Sequence, residues 1–141
     1  MKLLVDTNVL LDVLAHREPH YAASARVWTL AERGEVQAVV SAISFNNVYY
    51  IVRRAAGKEK ARAALRALRD VFEWVAPDRN IVNQAIDSES DDFEDAVQFY
   101  SAVRAEVDYL VTRDPAGFPT SGPAVVTPSE LVALLEYRTA Q

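Results

Sequence analysis

The sequence predicts an α/β protein with a mostly parallel sheet of about four or five strands. Short apolar runs of strand length alternate with longer segments in which apolar residues recur every three or four positions. Glycines, prolines and helix-capping residues stand at several borders between these segments. The chain has 141 residues, of which 50% are hydrophobic and 25% charged, the size and composition of one globular domain. We therefore expect residues 1–141 to form a single domain.

Each predicted strand is a short, mainly apolar run, as expected for strands buried inside a parallel sheet. The first run, Leu3-Leu4-Val5, ends at Asp6, and the last follows a loop that contains three prolines and two glycines, residues 115–123. In chain order, the predicted strands cover residues 2–5, 36–41, 71–75, 109–112 and 125–126.

The segments between the strands have the apolar spacing of amphipathic helices. Gly34 and Gly57 are placed to end two of them, and Thr127-Pro128-Ser129-Glu130 has the pattern of a capping box with proline at the first helical position. The predicted helices cover residues 7–15, 19–33, 44–56, 58–70 and 92–104, with two more beginning at Asp78 and Thr127.

Composition excludes several classes of site. The chain has no cysteine, so it has no disulfide framework, no thiolate zinc site and no cysteine nucleophile. Its two histidines, His16 and His20, are too few for a histidine-rich centre, so any metal would be a hard ion held by oxygen. No apolar run approaches about 18 residues, so we expect no membrane span. The charged N-terminal stretch does not resemble a signal peptide, and the simplest compartment is the cytoplasm.

Charge is distributed unevenly along the chain. The net charge is −5, yet the segment 53–69, here called the basic segment, has seven basic residues and only one acid, Glu59. The segment 87–95 has six acids and no base. Two solvated helix faces would explain this pattern, and so would a polyanionic partner together with a cation.

Acidic side chains follow two of the predicted strands. Asp6 comes after the first strand and Asp114 after the strand at 109–112. The carboxyl ends of parallel strands share one edge, where open α/β sheets bind ligands. Asp95, in the first turn of the helix that precedes the 109–112 strand, can face the same edge. Three carboxylates gathered there would require a cation, and Mg²⁺ or Mn²⁺ suits oxygen ligands.

Each of these acids also has an ordinary structural explanation. Asp6 could simply cap the helix that follows it. Asp92 could be an N-cap, with Asp95 favoured in the first turn by the helix dipole. Asp114, before Pro115, could be a turn residue. Only their joint placement favours a functional site.

Four stretches, in order along nearly the whole chain, match a known pattern. They are Leu3-Leu4-Val5-Asp6-Thr7-Asn8-Val9-Leu10, Ser41-Ala42-Ile43-Ser44-Phe45, Asp92-Phe93-Glu94-Asp95-Ala96 and Leu110-Val111-Thr112-Arg113-Asp114. With these stretches the chain resembles the PIN domain, the metal-dependent ribonuclease fold of VapC-type toxins. The resemblance implies a three-layer α/β/α fold around the parallel sheet.

The resemblance also implies an activity, a cofactor and partners. The activity is hydrolysis of single-stranded RNA with Mg²⁺ or Mn²⁺, and the basic segment would guide the RNA strand by its charge. The expected partners are an antitoxin protein and a second copy of the chain in a homodimer. The implied catalytic residues and metal ligands are Asp6, Asp95 and Asp114, with Asp92 as a further ligand, and the residues that orient ligands or contact the phosphate are Asn8, Thr112 and Arg113.

One position departs from the family pattern. The family usually has glutamate at the position that matches Asn47, and asparagine offers a carbonyl oxygen but neither a charge nor a base. Asp92 or Glu94 would compensate, or metal binding and activity would be attenuated. Asn46 and Asn47 could also be no more than a polar helix face. The alternative function is therefore a PIN-like scaffold that binds RNA or protein without cleaving it.

Two further classes fit less well. A phosphohydrolase with Asp6 as nucleophile usually has a second acid two positions later, where this chain has Asn8. A small-molecule-binding α/β domain usually has a glycine-rich phosphate loop, and the chain has only four glycines and no Gly-x-Gly-x-x-Gly.

Overall fold

The central sheet has five strands, all parallel, in a computed structural model that describes residues 1–141. The strands are β1 (Lys2–Val5), β2 (Gln37–Ser41), β3 (Glu73–Val75), β4 (Tyr109–Val111) and β5 (Ala124–Val126). Their order in the sheet is β3-β2-β1-β4-β5. The chain thus builds the sheet outward from β1, first to one side and then to the other. The carboxyl ends of β1 and β4 form the point where the strand order reverses, and this is where such sheets bind ligands.

Helices cover both faces of the sheet and complete the three-layer α/β/α fold. Leu3 and Val5 of β1 pack in one core with the helices on their side, whereas Leu4 points to the other face and packs with the sixth helix. The helices are α1 (Thr7–Leu14), α2 (Tyr21–Glu32), α3 (Ile43–Ala56), α4 (Lys58–Val71), α5 (Arg79–Asp87), α6 (Phe93–Arg104) and α7 (Pro128–Ala140). Helices α1 to α4 and α7 share the first face, and α5 and α6 share the second.

The predicted fold class is confirmed, and the differences lie at element borders. Val71, expected in a strand, instead ends α4, and the amide of Phe72 donates to the Leu68 carbonyl, so the strand begins only at Glu73. The predicted capping box at Thr127 is present. The 115–123 loop contains one short 3₁₀ turn, Pro115–Gly117. No helix has both the length and the apolar character needed to cross a membrane.

Candidate active site at the carboxyl edge of the sheet

Asp6 is fixed at the end of β1 by both of its carboxylate oxygens. As the N-cap of α1, it accepts a hydrogen bond from the Thr7 amide at 2.8 Å through Oδ1. Oδ2 accepts a hydrogen bond of 2.9 Å from the Thr112 hydroxyl. The residue is only 4% exposed. Asp6 is therefore a helix cap, as the structural alternative stated, and also a rigidly held carboxylate at the strand-order reversal.

Thr112 connects Asp6 and Asp114, two acids that are far apart in the sequence. Its hydroxyl donates to Asp6 and accepts a hydrogen bond of 3.3 Å from the amide of Asp114. Its own amide donates to the Val126 carbonyl, which extends the ladder between β4 and β5 by one residue. The side chain that was expected to orient the acids thus bridges the ends of β1 and β4.

Asp95 is brought to the same edge by the start of α6. The Asp92 side chain caps this helix and accepts a hydrogen bond of 3.0 Å from the Asp95 amide, which confirms the capping interpretation of Asp92. Asp95 and Asp114 both lie against the 3₁₀ turn. A Cβ atom at Gly117 would stand 3.3 Å from Oδ2 of Asp95 and 3.8 Å from Oδ2 of Asp114. A side chain there would press on the Asp95 carboxylate and only touch that of Asp114, a contact that was not predicted from the sequence.

The electrostatics also place the acids in one site. Burial, together with the charges of Glu94 and Asp92, raises the pKa of Asp6 to about 6, although the hydrogen bonds from Thr112 and Thr7 act in the opposite direction. Desolvation also raises the pKa of Asp95 to about 7, with contributions from four nearby carboxylates. In order of effect, these are Asp6, Asp92, Glu94 and Asp114. Asp95 therefore lies within electrostatic reach of Asp6 and Asp114, and the role of the three acids as metal ligands stays a prediction.

A buried hydrogen-bond network lies beside Asp6 and includes the side chain of its neighbour Thr7. The hydroxyls of Thr7 and Ser44 lie 2.7 Å apart, and the Gln98 amide nitrogen donates to both at 3.1 Å. The three side chains belong to α1, α3 and α6 and are almost inaccessible to solvent. Neither Ser44 nor Gln98 was predicted to lie beside the site. Gln98 lies two residues after Ala96 and therefore outside the apolar face of α6 that the periodicity predicted, so the sequence pattern gave no signal for its burial.

Arg113 makes a contact that the sequence analysis did not foresee. Its Nε lies 3.2 Å from Oδ2 of Asp12, whose side chain is fully buried. The Ser24 hydroxyl donates to the same oxygen at 3.1 Å, while Oδ1 of Asp12 has no hydrogen-bond partner. The residue before Asp114 is thus attached to α1 by a buried charge, and its expected role toward RNA stays a prediction.

Two other expected residues lie beside the site without a demonstrated role. Asn47 lies three residues after Ser44 on α3, so both occupy the same helix face, and it is half-buried. Asn8 is exposed in the first turn of α1. Their functions also stay predictions.

The chemistry of the donors fits a hard cation. Carboxylates are the ligands that Mg²⁺ and Mn²⁺ prefer, and the raised pKa of Asp95 reflects a repulsion that a dication would relieve. No three side chains of the types that bind metals are gathered closely enough to hold an ion. The acids therefore share an electrostatic site whose oxygens are not drawn together at coordination distance.

The five-stranded parallel sheet with helices on both faces agrees with the family comparison. Residues 2–116 match the family model of the PIN domain. The chain therefore belongs to the PIN domain family. No curated protein sequence matches it significantly.

Solved structures with the same fold are distant in sequence. Mycobacterium tuberculosis VapC20, described as a sarcin–ricin loop cleaving toxin, is 18% identical with a TM-score of 0.66, and the match covers 86% of this chain and 99% of that one. A DNA-bound VapBC from Salmonella typhimurium is 14% identical with a TM-score of 0.69, and the match covers 91% of this chain and 98% of that one. In a toxin–antitoxin complex from Klebsiella pneumoniae, the matching chain is 21% identical with a TM-score of 0.66, and the match covers 89% of this chain and 97% of that one. At these identities the likeness concerns the fold.

Proposed function

We propose that this PIN domain protein is a metal-dependent endoribonuclease that hydrolyses phosphodiester bonds of single-stranded RNA. The observation that carries the proposal is the position of Asp6 and Asp114 at the carboxyl ends of β1 and β4, where the Thr112 hydroxyl connects them. Asp95 lies beside Asp114 at the 3₁₀ turn. The likeness to the VapC20 toxin and to toxin–antitoxin complexes supports a role as the toxin of such a pair. An antitoxin is then the expected protein partner, a homodimer the expected assembly and the cytoplasm the expected compartment.

In this mechanism Asp6, Asp95 and Asp114 would hold Mg²⁺ or Mn²⁺, with Asp92 as a further oxygen donor. The bound ion would supply a water of lowered pKa and neutralise charge on the scissile phosphate. Thr112 would orient Asp6 and the backbone before Asp114, as its two hydrogen bonds indicate. Asn8 and Arg113 would contact the phosphate backbone.

The Asp6→Asn variant tests this function. The change removes a ligand charge while keeping the shape of the side chain, so we expect RNA cleavage to fall by about 100-fold or more at a fixed Mn²⁺ concentration. A Mg²⁺ and Mn²⁺ titration with a labelled single-stranded RNA provides the measurement. Asp108→Asn is the matched control, because Asp108 is exposed and accepts from the Lys2 amide at the opposite end of β1. Cleavage that persists in EDTA or in Asp6→Asn would refute the proposal.

A non-catalytic scaffold that binds RNA or protein is the second candidate. Asn47, at the position where the family usually has glutamate, is the observation that favours it. Absence of cleavage by the wild-type chain at every metal concentration, with RNA or antitoxin binding retained, would select this alternative.

Asn47→Glu should tighten binding of divalent metal. An added carboxylate on the helix face of Ser44 raises the negative charge at the site, and we expect an affinity gain of about tenfold by calorimetry with Mn²⁺. Asn46→Glu is the matched control, because Asn46 is the exposed neighbouring residue. Equal effects of the two variants, or no effect of either, would exclude Asn47 from the metal site.

A further inference from the structure

A cleft of ≈ 520 Å³ lies between α3, α4 and the edge strand β3. Its apolar floor includes Phe45 and Trp74, and three arginines of α4 stand along its wall: Arg62, Arg66 and Arg69. The cleft therefore combines an aromatic surface with a row of guanidinium groups.

Trp74 is held in place but remains accessible. Its ring makes a T-shaped contact with Phe45, with centroids 5.4 Å apart and an interplanar angle of 77°. The residue nevertheless keeps 52% of its surface exposed. An exposed aromatic ring held by a neighbour offers a stacking surface for a nucleobase.

The arginines are available to an anion. Their spacing of four and three residues places them on one side of α4. Neither Arg62 nor Arg66 takes part in any of the salt bridges of the chain. Arg69 makes only an exposed contact with Asp70 at 3.6 Å. Glu73 precedes Trp74 and points to the opposite face of the strand. Positive charge therefore dominates the cleft.

The cleft lies beside the acidic site along the same edge of the sheet. Ala42, at its rim, follows β2 directly, and its amide donates to the Val75 carbonyl. Ser44, two residues later, contacts Thr7 next to Asp6. Since β3 is two strands from β1, these two strands lie about 10 Å apart. A single RNA strand could therefore occupy both places at once.

We propose that this cleft binds a nucleotide of the single-stranded RNA substrate, with its base stacked on Trp74 and its phosphates paired with Arg62 and Arg66. Guanidinium groups pair with phosphate oxygens in a bidentate manner, and the exposed indole favours a nucleotide over an acidic peptide. The inference rests on the proposed nuclease function and assigns the substrate contacts outside the carboxylates.

Binding measured without metal tests the cleft separately from catalysis. In EDTA, a labelled RNA of about 12 nucleotides should bind Trp74→Ala roughly tenfold more weakly than the wild type by fluorescence anisotropy. RNA should also quench the tryptophan emission of the wild type. This quenching should disappear in the conservative Trp74→Phe variant, which retains only Trp28, a tryptophan packed against Phe72.

Arg66→Gln should weaken RNA binding. It should also reduce the slope of log affinity against log salt concentration by the amount expected for about one phosphate contact. Arg33→Gln is the matched control, because Arg33 is exposed at the end of α2, outside the basic segment, and does not line the cleft. Circular dichroism checks the fold of each variant.

The outcomes separate the two proposals. Unchanged RNA affinity and quenching in the Trp74 and Arg66 variants would overturn the cleft assignment, even if Asp6-dependent cleavage is present. Loss of binding in these variants without any cleavage by the wild type would support the cleft and refute the nuclease. An oligoglutamate peptide that depends on Arg66 and binds more tightly than RNA would overturn the nucleotide assignment.

Discussion

The metal-free protein should become less stable as the pH rises from 5 to 8. The pKa of Asp6 is raised from 3.8 to about 6, and that of Asp95 from 3.8 to about 7. In this range the folded chain holds protons that the unfolded chain has already released, so its stability falls with rising pH. The contribution of each raised pKa to the stability of the fold is complete below pH 3.8. It is lost as the pH rises from 3.8 through the pKa that the group has in the folded chain.

The size of this effect differs between the two acids. For buried Asp6 the shift corresponds to roughly 3 kcal/mol as an upper limit. Asp95 is more accessible, so solvent screening reduces its contribution below what its pKa suggests. Thermal melts in EDTA at several pH values between 5 and 8 measure the part of the combined loss that occurs above pH 5, because the loss begins near pH 3.8.

Asp95→Asn should flatten this pH dependence and stabilise the metal-free protein at pH 8, because it removes one of the repelling charges. Asp108→Asn should leave the pH profile as it is in the wild type. Excess Mn²⁺ should weaken or reverse the decline, since a dication favours the ionised carboxylates. A melting temperature that is constant or rises from pH 5 to 8 in EDTA would contradict this account.

Arg113→Ala should destabilise the fold by about 3 kcal/mol, because it leaves the carboxylate of Asp12 buried without its cation. The side chain of Asp12 is 0% exposed and that of Arg113 29% exposed. Urea unfolding followed by circular dichroism measures the loss of free energy. Arg104→Ala is the control, because it breaks the exposed pair with Asp78 and should hardly change the midpoint.

A second change separates the ion pair from other roles of Arg113. In the Arg113→Ala background, Asp12→Asn removes the stranded charge and should recover much of the lost stability. If Arg113→Ala costs no more than Arg104→Ala, or if Asp12→Asn recovers nothing, the buried pair does not stabilise the fold as inferred.

The sheet edge and its acids could be predicted because they follow from local patterns. Short apolar runs identified the strands, and the parallel arrangement places Asp6 and Asp114 at one edge without any knowledge of side-chain packing. Asp95 followed from the direction of the helix before β4. The helix start at Asp78 and the capping box at Thr127 were equally local predictions, and both are present.

The contacts that support the site could not be predicted in the same way. The pair of Asp12 and Arg113 joins residues far apart in sequence, and periodicity does not reveal which buried groups will meet. Gln98 reaches Thr7 only because α6 and α1 cover opposite faces of the sheet and approach at its edge. Such pairs depend on packing angles between elements, which no single segment encodes.

The reversal of strand order at β1 determines where the acids lie but does not determine which RNA would be selected. Asp6 and Asp114 come from places where strands stop, so their layout depends on the sheet and on little of the surrounding sequence. Chains that share only 14–21% of their residues with this one can therefore keep the same frame. Selection among RNA molecules would then depend on the cleft beside β3, where a tryptophan or an arginine can be exchanged without disturbing the acidic site.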